Sequence, residues 1–231
     1  MNIDEKPVSE KLSFEVVNLD KTYLEKIIKL QKLVIDSLED KVLCVSLSEE
    51  EYLDALGDKG IVVGVKKGDN LVGIYVGLFP GQSMDNLGRE INLDKNELEK
   101  VCHLELAFID PKYRGMKLHY KLGVNLISEV QTYNMTRYFF ATVEPRNLPS
   151  LKNLFSFGLY IVKFNEMYGG LKRFVLCHDI GRLIRWDKSN AIIVSSNEID
   201  YQRELLQQGW QGMEMKREFN ETFIVYCKEK L

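Results

Sequence analysis

Three groups of residues have the types and spacing to do chemistry. The first is Phe108-Ile-Asp-Pro-Lys-Tyr-Arg-Gly-Met-Lys-Leu-His119, where an apolar strand end runs through a tight basic turn into a helix starting at Leu118. The N–H groups of a helix's first turn have no internal partner and sit at the positive end of its dipole. A diphosphate fits such a place. Gly115 permits close backbone approach or a positive φ. The amides of Met116, Lys117, Leu118 and His119 would then face the anion, with Arg114 at the junction and Lys117 adding charge. A purely structural turn is the competing reading of these residues.

The second group is Cys102-His103-Leu-Glu105, in the strand that leads to the turn. Strand alternation puts His103, Glu105, Ala107 and Ile109 on one face. A carboxylate or an imidazole on such a strand can serve as a positioned general base; Glu105 is the first candidate and His103 the reserve. A carboxylate paired with a basic neighbour is the competing reading of Glu105, and a satisfied half-buried histidine is the leading reading of His103. The third group is Val143-Glu-Pro-Arg-Asn147-x-x-Ser150, followed by Gly158. Asn147 and Ser150 suit either ligand contact or a helix N-cap. His178, between Cys177 and Asp179, reads as structural. The histidines show no ligand spacing, so no metal is expected. No G-x-S-x-G elbow or Ser-His-Asp set stands out.

The elements that must position these groups follow from periodicity and punctuation. Leu12 to Leu19 alternates as a strand, and Asp20 caps a helix over 21–38. Ser48 opens a capping box with Glu51. Apolar runs 61–67 and 71–79 flank Lys67-Gly-Asp-Asn70, a hairpin signal. A polar stretch, 80–100, holds a short helix from Leu93 capped by Asn92 or Asp94. A strand over 101–109, a helix over 118–133 and a strand over 138–143 come next. A helix over 149–157 closes at Gly158, and 159–164 with 173–177 form a hairpin. This order predicts an α/β protein, with a mixed sheet of α+β type and helices on both faces. Beyond Ile180, a strand (191–195), a helix (199–208) and a strand (222–227) read as an appendage too small for its own core. No internal repeat is evident.

The chain has 231 residues, 45% of them apolar, and a net charge of −3 with a pI near 5.8. That balance disfavours sequence-independent nucleic-acid binding, which needs a basic surface. Four cysteines occur without a C-x-x-C pair. No stretch is long and apolar enough to span a bilayer, and the first residues form no signal region. A reducing cytoplasm is the expected location.

The strand, Pro111-Lys-Tyr-Arg-Gly115 and the helix from Leu118 together resemble the acyl-CoA pyrophosphate loop of the GNAT acetyltransferases. The order of elements from Leu12 to Asp179 is similar too. Asn86-Leu-Gly88 through His103-Leu-Glu105 further resembles a bacterial, mostly Firmicute-type subgroup. The resemblance implies a GNAT-like acyl-CoA N-acyltransferase domain over 1–180, with a strand-helix-strand extension, 181–231, packed on it. It implies acetyl-CoA as co-substrate, with the pantetheine paired along Ala107, Phe108 and Ile109 and the pyrophosphate held by residues 114–119. Asn147 would contact the CoA arm, while for Ser150 contact and capping fit equally. The acceptor would be a small-molecule or peptide amine, attacking directly, with Glu105 as base. The 80–100 insertion and the extension are expected beside the acceptor, Trp210 reads as an aromatic contact there or as a plain packing residue, and the C-terminal strands could pair two subunits as a homodimer. Three departures stand out. Lys117 and His119 occupy usual glycine places, Leu159 replaces the common Phe, and Leu154 falls where many members carry an acid tyrosine. Phe155 beside it cannot donate a proton, and no spacing supports Tyr160 or Tyr168. These departures motivate a second reading, a non-catalytic module that binds CoA or a related nucleotide.

Overall fold

A computed structural model describes residues 13–133 and 136–230. Its strands form one ten-stranded sheet. Strand β1 (Glu15–Asn18) pairs antiparallel with β2 (Gly60–Lys67), and β2 with β3 (Asn70–Leu78). Leu12, the expected start of the first strand, lies outside the described residues. Strand β4 (Val101–Ile109) joins antiparallel to β3 and parallel to β5 (Tyr138–Val143). Strands β6 (Tyr160–Met167), β7 (Leu171–Asp179), β8 (Ile192–Ser195), β9 (Gln211–Glu218) and β10 (Glu221–Cys227) complete the order β1-β2-β3-β4-β5-β7-β6-β9-β10-β8. This is the mixed α/β architecture that the order of sequence signals predicts.

Helices cover both faces. On one, α1 (Leu24–Asp36) and α2 (Glu49–Ala55) bury Ile27, Leu30, Val34 and Tyr52 against Val62, Ile74, Val76, Leu106 and Phe108. Ser48 and Glu51 form the expected capping box at the start of α2. On the other face lies α4 (Leu118–Tyr133), its Leu118, Leu122, Leu126 and Val130 stripe packed on Val63, Val65, Tyr75, Cys102 and Leu104. Burying each such leucine contributes about 1.5–3 kcal/mol. Helix α5 (Leu148–Ser156) joins the same core through Leu151 and Leu154. The 80–100 segment forms a 3-10 turn, Leu87–Ile91, and a short helix α3 (Lys95–Leu98) capped by Asp94.

Strand β4 carries a bulge that overturns the expected alternation. Val76 faces Leu106 but its neighbour Gly77 faces Leu104, so Glu105 is an extra residue without a partner on β3. One inserted residue inverts every side chain beyond it. Cys102 and Leu104 therefore pack with α4, whereas Leu106 and Phe108 pack with α1. Ala107 and Ile109 join the α4 side. His103 stands on the opposite face from them, against the expectation that all four share one face.

The bulge also marks where the sheet splits. Strands β4 and β5 pair only at Val101–Tyr138, Cys102–Phe139 and His103–Phe140. Past His103, β4 keeps its bonds to β3 and β5 keeps its bonds to β7. A wedge opens between Leu104–Ile109 and the end of β5.

The C-terminal segment is a strand, a helix and two strands rather than strand-helix-strand, and it repeats part of the core. Its missed strand, β9, is polar and only partly buried, so it gives little apolar signal. The unit β8, α6 (Ile199–Gln207), β9, β10 follows the topology of β5, α5, β6, β7, with the last strand central in each. Helices α5 and α6 match in length, as do β6 and β9, at one constant offset in numbering. Both helices end in a left-handed glycine, Gly158 (φ 85°) and Gly209 (φ 81°). Both hairpins carry a bulge at the same place, skipping Val162 in one and Met213 in the other. The units meet where β6 pairs antiparallel with β9, at Ile161 opposite Gly212, which are themselves equivalent residues. A local twofold axis therefore crosses the sheet there. Val194, Leu205, Leu206, Ile224 and Tyr226 of the second unit belong to the main core. The repeat escapes a reading of the sequence because equivalent positions share few residues, among them Val143 and Val194, Leu154 and Leu205, and Cys177 and Cys227.

Candidate active site

The wedge between β4 and β5 is a cavity of about 1030 Å³. Strand β4 from Leu104 to Ile109 forms one wall, and β5, from Ala141, with the start of α5 forms the other. The turn before α4 closes one end. The loop after α1 and the β6–β7 hairpin also line the cavity, bringing Cys44, Tyr168 and Arg173.

The closing turn has the backbone that anion binding needs. Asp110 accepts from Lys112 N–H at 2.9 Å and sets up the 3-10 turn Pro111–Tyr113. Gly115 then takes φ 79° and Lys117 φ 58°. A left-handed non-glycine residue costs about 1–2 kcal/mol, so Lys117 holds a conformation that glycine would take freely. Leu118, 3% exposed, pins the helix start in the core. The first helical bond of α4 runs from Lys121 N to Lys117 O, 3.0 Å. The N–H groups of Leu118, His119 and Tyr120 precede the ladder and have no carbonyl within the helix to bind. Arg114, Gly115, Lys117, Leu118 and His119 line the cavity, while Met116 is exposed and outside the lining. Arg114 donates to Ser37 Oγ at 2.9 Å, tying the turn to the end of α1.

His119 fits a usual glycine place by turning its ring sideways. It meets Tyr75 edge to face at 5.3 Å, with Nδ1 3.1 Å from Asn153 Nδ2. Asn153 Nδ2 also donates to Pro149 O at 3.0 Å, which identifies it as the amide nitrogen. His119 Nδ1 is therefore an acceptor. Burial pushes the imidazole down to about 4, so His119 gives the turn no charge near neutral pH.

Asn147 caps α5, its Oδ1 accepting from Ser150 N–H at 3.2 Å and its Nδ2 donating to Leu43 O at 3.4 Å. Both Asn147 and Ser150 line the cavity. The cap explains their spacing, and it places the N-terminus of a second helix beside the wedge.

Glu105 faces the cavity from the bulge. Its Oε2 lies 3.6 Å from His103 Nδ1. His103 is buried behind it, outside the lining, and its Nε2 accepts from Leu87 N–H at 3.0 Å. That bond leaves the ring proton on Nδ1, toward Glu105. The 80–100 segment thus backs the site through Leu87 and contributes nothing to its lining, contrary to the expectation that it faces the acceptor. The same correction applies to the C-terminal segment, and Trp210 packs against the core under Lys228, 5.2 Å away.

Two residues that the spacing does not single out reach the cavity through the fold. Tyr168 sits at φ 51° in the β6–β7 turn, its hydroxyl 3.2 Å from Thr142 Oγ1. Burial, foremost, and the charge of Glu105 push its phenol up, against the Thr142 bond and Arg173. Arg173 is 3% exposed on β7. Neither side chain is detectable by periodicity, because a hairpin turn and a cross-sheet placement bring them in. Leu154, at the usual tyrosine place, is buried and cannot donate a proton. Tyr160 packs on Trp186 at 5.2 Å, away from the cavity. Burial pushes the Cys44 thiol up to about 11, so it is a poor nucleophile at neutral pH. Among the described residues no group of three or more His, Cys, Asp or Glu could hold a metal ion, and no helix is long and apolar enough to cross a membrane.

A split sheet with an anion turn at the mouth of the split defines a fold class. No protein-family model and no curated protein matches the chain, but solved structures do. The Escherichia coli ribosomal-protein-S18-alanine N-acetyltransferase is similar with TM-score 0.55 and 12% identity, over 74% of this chain and 96% of that one. A GNAT-family acetyltransferase from Streptococcus pneumoniae is similar with TM-score 0.55 and 14% identity, over 73% and 100%. NAA60 of Arabidopsis thaliana, solved with acetyl-CoA, is similar with TM-score 0.55 and 12% identity, over 74% and 100%. The chain has the fold of the GNAT acetyltransferases.

Proposed function

We propose that the protein is an acyl-CoA-dependent N-acyltransferase that moves an acetyl group from acetyl-CoA to an amine. The observation that carries this reading is the unpaired wedge between β4 and β5, with the Glu105 carboxylate facing into it and a turn of free amides at its mouth. The pantetheine would pair with β4 along Ala107, Phe108 and Ile109, and the diphosphate would lie on the amides from Gly115 to His119 beside Arg114 and Lys117. The N-terminus of α5, at Asn147 and Ser150, would face the CoA arm. The amine nitrogen forms a bond to the thioester carbon, the carbon–sulfur bond breaks, and the amine proton passes to Glu105. His103 acts as a positioning residue, held by Leu87 and donating toward Glu105. CoA leaves as a thiolate, and a thiol pKa near 8.5 makes that a competent leaving group without a dedicated acid. This accommodates leucine at position 154. On this reading residues 1–180 form the acyltransferase unit, 181–231 the extension, and the protein works in the cytoplasm. The likeness of the 86–105 segment to a Firmicute-type subgroup adds no acceptor.

Thiol release from acetyl-CoA over a panel of small amines and peptides tests the reading. Glu105→Gln is expected to lower kcat about 10²-fold or more and to spare acetyl-CoA affinity. Unchanged turnover would remove Glu105 from the mechanism. The second reading, a CoA-binding module, is favoured by Leu154 and the strained Lys117. Acetyl-CoA binding without release, whatever the amine, would establish it.

A further inference from the structure

We propose that the acceptor is an amine that also carries a carboxylate, of the amino-acid class, and that Arg173 binds that carboxylate. The inference rests on the acyltransferase reading and names its substrate class.

Arg173 is 3% exposed, yet it lines the cavity. Nη1 donates to Lys172 O at 2.9 Å and Nη2 to Val42 O at 2.8 Å. A guanidinium has five N–H donors, so most of its donor capacity is uncommitted. Its two partners are neutral carbonyls. Among the described residues no carboxylate comes within ion-pairing distance, 4.0 Å, of Arg173. The nearest in effect is Glu144, which favours the charge from farther off. Its oxygens are already engaged by Arg146, by N–H at 2.7 Å and Nε at 2.8 Å. A buried cation without an ion partner is expensive, and burial does pull the guanidinium down from its ordinary value. A fold keeps such a group where a ligand completes it.

The geometry selects the ligand. A planar fork of donors matches a carboxylate in two parallel bonds. The Tyr168 ring lies 5.9 Å from the guanidinium and walls that end of the cavity. Glu105 faces the same cavity with the opposite charge. An α-amino acid carries its amino and carboxylate groups on one carbon, so a carboxylate held by Arg173 would bring the amine into the cavity that Glu105 faces.

The test uses matched acceptors with the full-length protein and acetyl-CoA: each amino acid against its amide and its decarboxylated amine. The expected result is a kcat/KM at least about tenfold higher for the acid, and a ratio falling to about one in Arg173→Gln. Arg173→Lys should keep part of the preference. A second measurement does not need turnover or a stable variant: calorimetry of N-acetyl amino acids, and their amides, titrated into the CoA-loaded wild type. Tighter binding of the acids is expected. Equal or better use of amides by the wild type, or an undiminished ratio in folded Arg173→Gln, overturns the proposal. If CoA binds but no amine is acetylated, the acyltransferase reading fails; the calorimetry then decides the carboxylate site alone, and equal binding of acid and amide overturns it.

Discussion

His119 shows how a single side chain can occupy a glycine's place without changing the site's charge. In the unfolded chain an imidazole titrates near 6.5, whereas burial holds His119 near 4. Between these values the unfolded state binds more protons, so stability rises with pH. The contribution is complete above about 6.5, is lost progressively toward 4, and is constant below. Urea midpoints at pH 7 and pH 5 should therefore drop further for the wild type than for His119→Gln; equal drops would show that His119 is charged in the fold. His178, also pushed down by burial, acts alike in both proteins and cancels. At this scale the sequence was partly legible. Glu105 is recognisable from its strand and the anion turn from Arg114-Gly115. The face that each side chain takes was not, because the bulge follows from pairing with β3, which no periodicity records. Arg173 and Tyr168 become site residues only when β7 folds beside β5.

Helix α4 follows the anion turn and meets Phe157, the residue after α5, at Gly123. A β-carbon at Gly123 would clash with the Phe157 ring. The Phe157 ring is itself stacked on Tyr120 at 5.7 Å, so moving it disturbs that pair. Gly123→Ala should cost about 1–3 kcal/mol by overpacking, read as a lower denaturation midpoint. It should also weaken CoA binding, since displacing α4 moves the amides at its first turn. Unchanged stability and affinity would mean that the helices can part freely. The helix itself was legible: Leu118, Leu122, Leu126 and Val130 recur at helical spacing and are all buried. Strand β9 was not, because it is polar and partly exposed on both faces. The 80–100 segment was legible as an insertion but not in its role. Its purpose is local: Asn86 Nδ2 donates to Gly81 O at 2.6 Å and Leu98 O at 3.0 Å, folding the segment on itself so that Leu87 reaches His103.

Across the whole molecule, the second β-α-β-β unit extends the sheet beyond β6 and shares the main core. Without it, β6 would present an open edge, and Ile161, which is fully buried, would lose its cover. Such an edge invites pairing with another chain. In this protein the partner for β6 is an imitation of β6 itself, supplied from the same polypeptide and meeting it about a local twofold axis. When two subunits close an edge in this way, the contact is bimolecular and loosens on dilution. Here the tether replaces concentration with a fixed effective one. The thermal midpoint should accordingly stay constant across a hundredfold dilution, whereas a chain ending after Asp179 should either aggregate or acquire a midpoint that climbs with its own concentration. The covalent repeat makes the cover of β6 independent of how many copies of the protein are present.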